Sequence, residues 1–442
     1  MPTQPQYRFF DTASQAESMA DAPWWQVFDD PTLQALIRDA IANNLDLRAA
    51  MARVEEARAR AGIAKSLLYP EVNGGAGYRV RGASNTPPQG SQGDSNDNDT
   101  TQQSAAYGFQ LSWEIDLFGR LRRQHESALA ITLATEQARR GVLVTLVGDV
   151  ASNYFLLREL DLQLDIARRT LGINDQTVTY FTDRLNGGVS NRLELDRIQA
   201  NRAQTAAAIP DLEQQIALTE NALSLLLGRP PGTIQREQLP NAGPSPPRIP
   251  PGVPASLLER RPDVVQAEQV LVASNADIGA AKALFFPTIS LTGFLGGVSG
   301  DLTQFLGGDG AVWSLAPSVF QPIFQAGRLR RNVEAAQARF DAALAEYQKS
   351  ALNSYREVAN SLVTIQKLSE ERLEYEAGVV ALEDAADLAR ARYDSGLANY
   401  LEILTADQEL FRQELLLAQV RGAELRARAE LYRALGGGWQ PQ

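Results

Sequence analysis

The chain is one design written twice, and that duplication limits its fold more than any other feature. The word GRLRR stands at Gly119 to Arg123 and again at Gly327 to Arg331. A shift of 208 also carries Gly188 onto Gly396, Asn191 onto Asn399, Leu193 onto Leu401, Glu194 onto Glu402, and Leu227-Gly228 onto Leu435-Gly436, without a gap. Upstream the shift is 217: Asp46 falls on Asp263, Gly62 on Gly279, Lys65 on Lys282, Leu67 on Leu284 and Pro70 on Pro287. The difference, 217 − 208 = 9, is extra length between Pro70 and Gly119. There residues 83–103 form a polar, low-complexity run suited only to a surface loop, and its counterpart at 299–310 is shorter. Residues 229–254 join the halves and hold nine of the 22 prolines, a density that reads as an extended connector.

Inside each half the hydrophobic period changes twice. Residues 33–68 and 255–285 carry apolar residues at helical spacing, each stopped by a proline. Next come period-two segments. In 106–116, Tyr107, Phe109, Leu111, Trp113 and Ile115 alternate with Gly108, Gln110, Ser112, Glu114 and Asp116; residues 72–81 alternate likewise, and 288–295 and 312–320 more loosely. Each segment approaches the ~10 residues with which tilted β-structure crosses a bilayer. Very long helices then span about 117–185 and 325–394, roughly 100 Å at ~1.5 Å per residue. Val333, Phe340 and Tyr347 recur every seven residues, as do Tyr355 with Leu362 and Val358 with Ile365, a coiled-coil period. Each long helix ends at a glycine-bearing turn, and a returning helix runs to about 227 or 434; Pro210 predicts a kink in the first of these, where its counterpart is Ala418.

Composition excludes most chemistry. Without cysteine there are no disulfides or thiolate metal sites, and the lone His125 removes histidine pairs and makes a catalytic triad a poor reading. No phosphate-binding loop is written, so the chain does not read as an enzyme and no cofactor or metal is expected. A net charge of −11 argues against a nucleic-acid partner. No stretch is long and apolar enough for a membrane helix, and MPTQPQYRFF has neither the basic start nor the apolar core of a signal peptide. Four amphipathic strands cannot close a membrane barrel, which needs about eight, and open edges are not tolerated in lipid. Oligomerisation is therefore expected: two copies would supply eight strands, three would supply twelve.

WWQVFDDPTLQALIRDAIANNLDLRAA (24–50), LLERRPDVVQAE (257–268), FFPTISLTG (285–293), the two GRLRR words and LYRALGGGW (431–439) together resemble the TolC-like outer-membrane efflux factors. The resemblance is to the OprM- or NodT-like branch that serves resistance-nodulation-division (RND) pumps. It implies a mostly α fold with a membrane β-barrel: duplicated β-hairpins and long helical hairpins that trimerise into a 12-stranded barrel and a 12-helix tunnel. On that pattern 1–32 begins an equatorial belt; 33–69 is the first-repeat helix, 70–116 the first β-hairpin and 117–228 the first helical hairpin. The connector at 229–254 also joins the belt; 255–286, 287–323 and 324–435 repeat the three elements, and 436–442 is a tail. The implied function is a passive exit duct for drugs or other small toxic compounds, with metal ions as alternative cargo and a coiled-coil scaffold as the minor alternative. Implied partners are two further copies, a periplasmic adaptor, an RND-type inner-membrane transporter and outer-membrane lipid. The implied location is the outer membrane of a Gram-negative bacterium, projecting into the periplasm. Members of this branch begin with a lipid-bearing cysteine; here the expectation is that Met1 stands in its place, or that the barrel alone anchors the chain.

Residue by residue, the resemblance assigns Tyr393 and Leu401 to the closed constriction at the periplasmic tip. Where the family often places an Asp and an Arg for an ionic lock, this chain has Thr405 and Gln408, so Asp407 or Asp196 is expected to supply an acidic ring instead, the alternative being ordinary solvated helix charges. Adaptor contact is expected at the turns Gly187, Gly188, Val189, Ser190 and Ser395, Gly396, Leu397, Ala398. Tyr107, Phe109, Leu111, Trp113 and Ile115 are expected to face lipid, with Trp113 and Trp313 as interfacial anchors. His125 is expected to be packed, and Asp94, Asp97 and Asp99 to be solvated loop charges, with a weak cation site as the alternative.

Overall fold

In a computed structural model, the structure describes residues 25, 28–82, 101–236, 257–299 and 311–437. Asp94, Asp97 and Asp99, most of the proline-rich connector and both chain ends lie outside the described residues. The elements run α1 (Pro31–Asn43), α2 (Leu45–Ser66), β1 (Glu71–Gly82), β2 (Thr101–Ile115), α3 (Arg120–Asn186), α4 (Arg192–Leu226), α5 (Leu257–Arg260), α6 (Pro262–Ala283), β3 (Thr288–Ser299), β4 (Ala311–Phe320), α7 (Arg328–Asp394) and α8 (Tyr400–Ala434). The duplication is metric: α3 and α7 have 67 residues each, α4 and α8 have 35 each. Both GRLRR words start a long helix, and the glycine before each has φ 80°. Positive φ recurs at the same pairs throughout the repeat, Gly188 with Gly396 and Gly228 with Gly436, where a β-carbon would be strained.

By internal contacts the chain forms two compact units. One contains 54–135 and 267–346, the other 1–53, 136–266 and 347–442.

The first unit holds one antiparallel sheet in the order β1-β2-β3-β4. Its register brings the period-two pattern to a single face. Phe109 lies opposite Gly74 and Leu295, Leu111 opposite Val72 and Gly293, Ile115 opposite Ile289, and Leu295 opposite Trp313. Val72, Phe109, Leu295, Trp313, Leu315 and Val319 are all exposed on that face, far more apolar surface than a water-facing sheet carries. The other face is mostly polar, with Asn73, Gln110, Ser112, Thr292, Ser314 and Ser318 in the same register, and carries Phe294, Val298, Val312 and Phe320 among them. There a β-carbon on Gly296 would stand 2.0 Å from the Tyr107 carbonyl oxygen, and one on Gly108 only 2.9 Å from the Phe294 ring. Glycine at this pair is what allows β2 and β3 to approach beneath that ring. The Trp113 indole donates to the Leu68 carbonyl at 3.1 Å, tying the strand to the end of α2. Among the described residues, strands β1 and β4 each pair along one edge only. β2 is longer than its alternating pattern predicts because Gln102 and Gln103 continue the ladder opposite Arg81 and Val80.

In the second unit, Leu33, Ile37, Leu146, Val150, Tyr154, Leu223, Val358, Leu431 and Tyr432 form the main core. Asp30 caps α1, accepting from the Thr32 and Leu33 amides, and its second oxygen accepts from the Tyr154 hydroxyl at 2.7 Å. The heptad residues Tyr355, Leu362 and Ile365 pack on this core beside fully buried Val358. Buried charges are paired: Glu159 accepts from Arg426, and Glu424 from Arg372 and Arg428.

One expectation is corrected. The helix foreseen over 33–68 is two helices, broken at Asn44, whose backbone is extended. The Asn44 side chain accepts from the Leu47 amide and donates to the Leu226 carbonyl at 3.0 Å, closing the C-terminal end of α4. The second repeat breaks at the equivalent place, 44 + 217 = 261, between α5 and α6. There Arg261 donates to the Ala434 carbonyl at 2.8 Å, closing α8, while Asp263 and Glu357 hold its guanidinium. Free helix-end carbonyls need partners, and the two repeats supply them with different side chains.

Candidate functional site at the helical-hairpin tips

The two long hairpins turn by the same device. At the first tip the Val189 amide donates to the Arg184 carbonyl and Gly188 to Leu185; at the second, Leu397 donates to Arg392 and Gly396 to Tyr393. These are Schellman closures, which need the left-handed conformation that Gly188 and Gly396 adopt at φ 72°. Asn191 and Asn399 then cap α4 and α8 through side-chain oxygens that accept from Glu194 and Leu401 amides at 2.9 and 3.0 Å. Both turns are exposed: Val189 at 65% and Leu397 at 73% leave two branched apolar side chains in solvent. Ser190 is half-buried and donates to Glu194, Ser395 donates to the Ala391 carbonyl, and Ala398 is half-buried.

Behind the turns, Phe181, Leu195, Ile198, Ala389, Tyr400, Ile403 and Leu404 make a small core, so the two tips of one protomer pack together. Tyr393 lies at its margin, and its hydroxyl accepts from Arg184 Nη1 at 2.9 Å. The same nitrogen donates to Tyr180 at 3.1 Å, and the guanidinium carbon sits 5.6, 5.8 and 5.7 Å from the Tyr180, Phe181 and Tyr393 ring centroids. Arg184 is thus an aromatic-boxed cation joining α3 to α7. Burial pushes the Tyr393 hydroxyl above its usual range and the Tyr400 hydroxyl up to about 12, so both are neutral donors and acceptors at physiological pH.

Asp407 is paired and largely buried, not an ordinary solvated charge. It accepts from Arg390 Nη2 at 2.7 Å, linking the arms α7 and α8, and its side chain is 17% exposed. Burial raises its carboxyl above the usual value, and Arg390 opposes that rise. Asp196 is exposed, with Arg192 one turn away at 3.7 Å. Thr405 donates to the Leu401 carbonyl of its own helix, and Leu401 is exposed. Gln408 enters a polar chain across three helices: it donates to Asn201, Asn201 to Asn174, and Asn174 to buried Thr205. A cavity of about 140 Å³ lies between the tips, lined by Asn191, Leu193, Arg197, Asn399 and Leu401 among others.

The structure therefore brings Tyr393, Asp407 and Gln408 into inter-helix contacts and leaves Asp196, Leu401 and Thr405 on the surface. Sequence reasoning missed Arg184, Arg390, Asn174 and Asn201. The repeat aligns Arg184 with Arg392, which pairs with Glu402 at 3.3 Å, so alignment alone gave no signal that Arg184 turns to tyrosines. In the other unit, His125 is half-buried on a cavity of about 320 Å³ with Arg122, Leu129, Leu133, Gln269 and Val272. Among the described residues no helix is long and apolar enough to cross a membrane, and no His, Cys, Asp and Glu cluster could hold a metal ion.

The outer membrane efflux protein family matches residues 36–229 and 253–437. The solvent efflux pump outer membrane protein SrpC of Pseudomonas putida is 37% identical over 417 residues, covering 94% of this chain and 87% of SrpC. The cation efflux system protein CusC of Escherichia coli K12 is 33% identical over 424 residues, covering 96% and 90%. Among solved structures, the outer-membrane channel OprN superposes with a TM-score of 0.89 at 32% identity, covering 100% of this chain and 98% of that one. The single-faced apolar sheet, the doubled hairpins and these matches converge: the chain belongs to the outer membrane efflux protein family and is an efflux channel of the Gram-negative outer membrane.

Proposed function

We propose that the protein acts as a homotrimer, in which three four-stranded sheets join edge to edge into a twelve-stranded barrel and the helical hairpins ring a periplasmic tunnel. The observation that carries this reading is the sheet: one face apolar, the other mostly polar, with β1 and β4 each paired on one edge only among the described residues. Lipid requires those edges to be closed, and copies of the same chain close them by symmetry. Tyr107, Phe109, Leu111, Trp113 and Ile115 then face lipid, and the polar face lines the pore. The chain is a conduit and not an enzyme; a periplasmic adaptor meets the turns at 187–190 and 395–398, and an RND-type transporter supplies the energy.

The closed state is held at the tips. Tyr393 is latched by Arg184, Asp407 clamps its hairpin through Arg390, and opening separates α7 from α3 at the Arg184 box. Cargo is small toxic organic compounds, as the name of SrpC supports; CusC supports metal cations as the second reading. Particle mass in detergent tests the assembly: a hollow trimer is expected, and a monomer soluble without detergent would refute it. Single-channel recording tests the latch, since Tyr393→Phe and Asp407→Ala should each raise conductance, and unchanged conductance in both would remove these residues from the gate. Complementing an efflux-deficient strain and challenging it with solvents and with copper or silver salts decides between the cargo classes.

A further inference from the structure

The polar face of the sheet has an uneven charge. By register it carries four ionisable side chains among the described residues: Glu71 and Glu114 near the helix end, Arg79 and Arg81 near the loop end. The acidic pair is engaged, Glu114 with Arg120 at 2.6 Å and Glu71 with the Asn73 amide at 3.0 Å. Arg79 and Arg81 are exposed and alternate with Tyr78 and Val80, which point to the apolar side. Their cross-strand neighbours are Ser104 and Gln102, neither of them charged. Among the described residues the loop-end half of the polar wall is therefore basic, on a chain whose net charge is −11 and whose loop aspartates Asp94, Asp97 and Asp99 lie outside those residues.

We propose that Arg79 and Arg81 form an anion-attracting, cation-repelling ring at the outer mouth of the pore. The inference rests on the trimeric barrel reading, in which three copies place six guanidinium groups around one opening. Rings of like-charged side chains set the sign of the ions a pore admits, Arg and Lys favouring anions, and low-dielectric walls focus their field. Anionic and neutral solutes leave past this ring, while free metal cations meet a barrier there. The ring thus weighs against the cation-efflux reading and identifies a selectivity element distant in sequence from the tip residues.

The test uses the full-length channel in planar lipid bilayers, with hexacyanoferrate(III) as a polyvalent anion added to the loop side and reversal potential read in a KCl gradient. The wild type should show voltage-dependent block from that side. Block should weaken by about threefold or more in Arg79→Gln/Arg81→Gln, with reversal moving toward potassium, and should persist in Arg79→Lys/Arg81→Lys. It should also fade as salt shortens the Debye length below ~10 Å. Channels that conduct normally yet show the same block and reversal in wild type and Gln variant would overturn the ring. A loss of assembly in the Gln variant that the Lys variant rescues, with block unchanged in the surviving channels, would also overturn it by assigning the arginines to lipid phosphate. A wild type that forms no detergent-dependent trimer would instead defeat the barrel reading.

Discussion

Phe109 and Gln110 are neighbours in the chain and opposites in the sheet, so one substitution made at each separates the two faces. Phe109 is 61% exposed on the apolar side between Gly74 and Leu295. Gln110 lies on the polar side between Asn73 and Phe294. In Phe109→Arg each protomer would carry a guanidinium into hydrocarbon at a cost of ~2–4 kcal/mol near the midplane. Three copies raise that to roughly 6–12 kcal/mol per barrel, and since ~1.4 kcal/mol is a tenfold change, even the lower figure shifts assembly by about four orders of magnitude. Gln110→Arg presents the same group to water in the pore and should assemble at wild-type levels with altered conductance. The assay is the heat-modifiable trimer band in outer-membrane fractions at matched expression. Equal assembly of both variants, or failure of Gln110→Arg alone, would show that the face assignment is wrong.

Gly296→Ala forces a β-carbon to within 2.0 Å of the Tyr107 carbonyl oxygen and should lower the melting temperature of the assembled protein. Gly293→Ala, whose new contacts begin at 3.4 Å, should leave it nearly unchanged, and equal melting would contradict the close approach of β2 and β3. Arg261→Ala strips the Ala434 carbonyl of its donor and leaves Asp263 and Glu357 without their cation, a loss of roughly 3 kcal/mol to be read by thermal denaturation; Arg261→Lys should recover only part of it. Asp407 offers a pH signature. Its folded-state carboxyl titrates above 3.8 because burial disfavours the charge, so the folded state takes up that proton before the unfolded chain does. Its effect on stability is therefore favourable in acid and is lost as pH rises through the folded value, while the ion pair with Arg390 behaves oppositely. The melting temperature of the wild type should therefore lose this contribution as pH rises through the folded value, and Asp407→Asn should remove that dependence; a wild-type-like slope in the variant would assign the titration elsewhere.

The sheet was legible because a strand exposing one face to lipid and one to water must alternate, and Tyr107 to Ile115 alternate without exception. The long helices were legible from the repeat and the heptads, and the turns from Gly188 and Gly396, where the Schellman closure needs a left-handed residue. The break at Asn44 was not, because nothing in the period of 33–68 changes there: the cause is the distant Leu226 carbonyl, which only folding brings near. The tip was half-legible for the same reason. Tyr393, Asp407 and Gln408 stood in the right neighbourhood, but their partners Arg184, Arg390 and Asn201 come from other helix arms, and helical spacing says nothing about which arm lies alongside which.

The two halves keep backbone geometry and change the chemistry that holds it. Asn44 and Arg261 close equivalent helix ends, one with a neutral amide and the other with a buried cation between two carboxylates. The hairpin arms differ more. The first is bridged by Asp175 with Arg202 at 2.7 Å, both substantially exposed. The second is bridged by Arg390 with largely buried Asp407, at positions where the first repeat has Thr182 and Gln199. An exposed pair is worth ~0–1 kcal/mol and yields to salt, whereas breaking a buried one is costly. The ion pair between α7 and α8 is therefore the firmer of the two pairs, while α3 and α4 are joined in addition by the buried Asn174–Thr205 bond. A hairpin that stays intact can move as a unit, and what must give way is its contact with the neighbouring hairpin, where Arg184 holds Tyr393 through a single hydroxyl. On this argument the internal clamp of the second hairpin and the Arg184 latch have separate tasks. Removing either should raise the mean conductance, the latch by shifting the populations of discrete states and the clamp by also broadening those states.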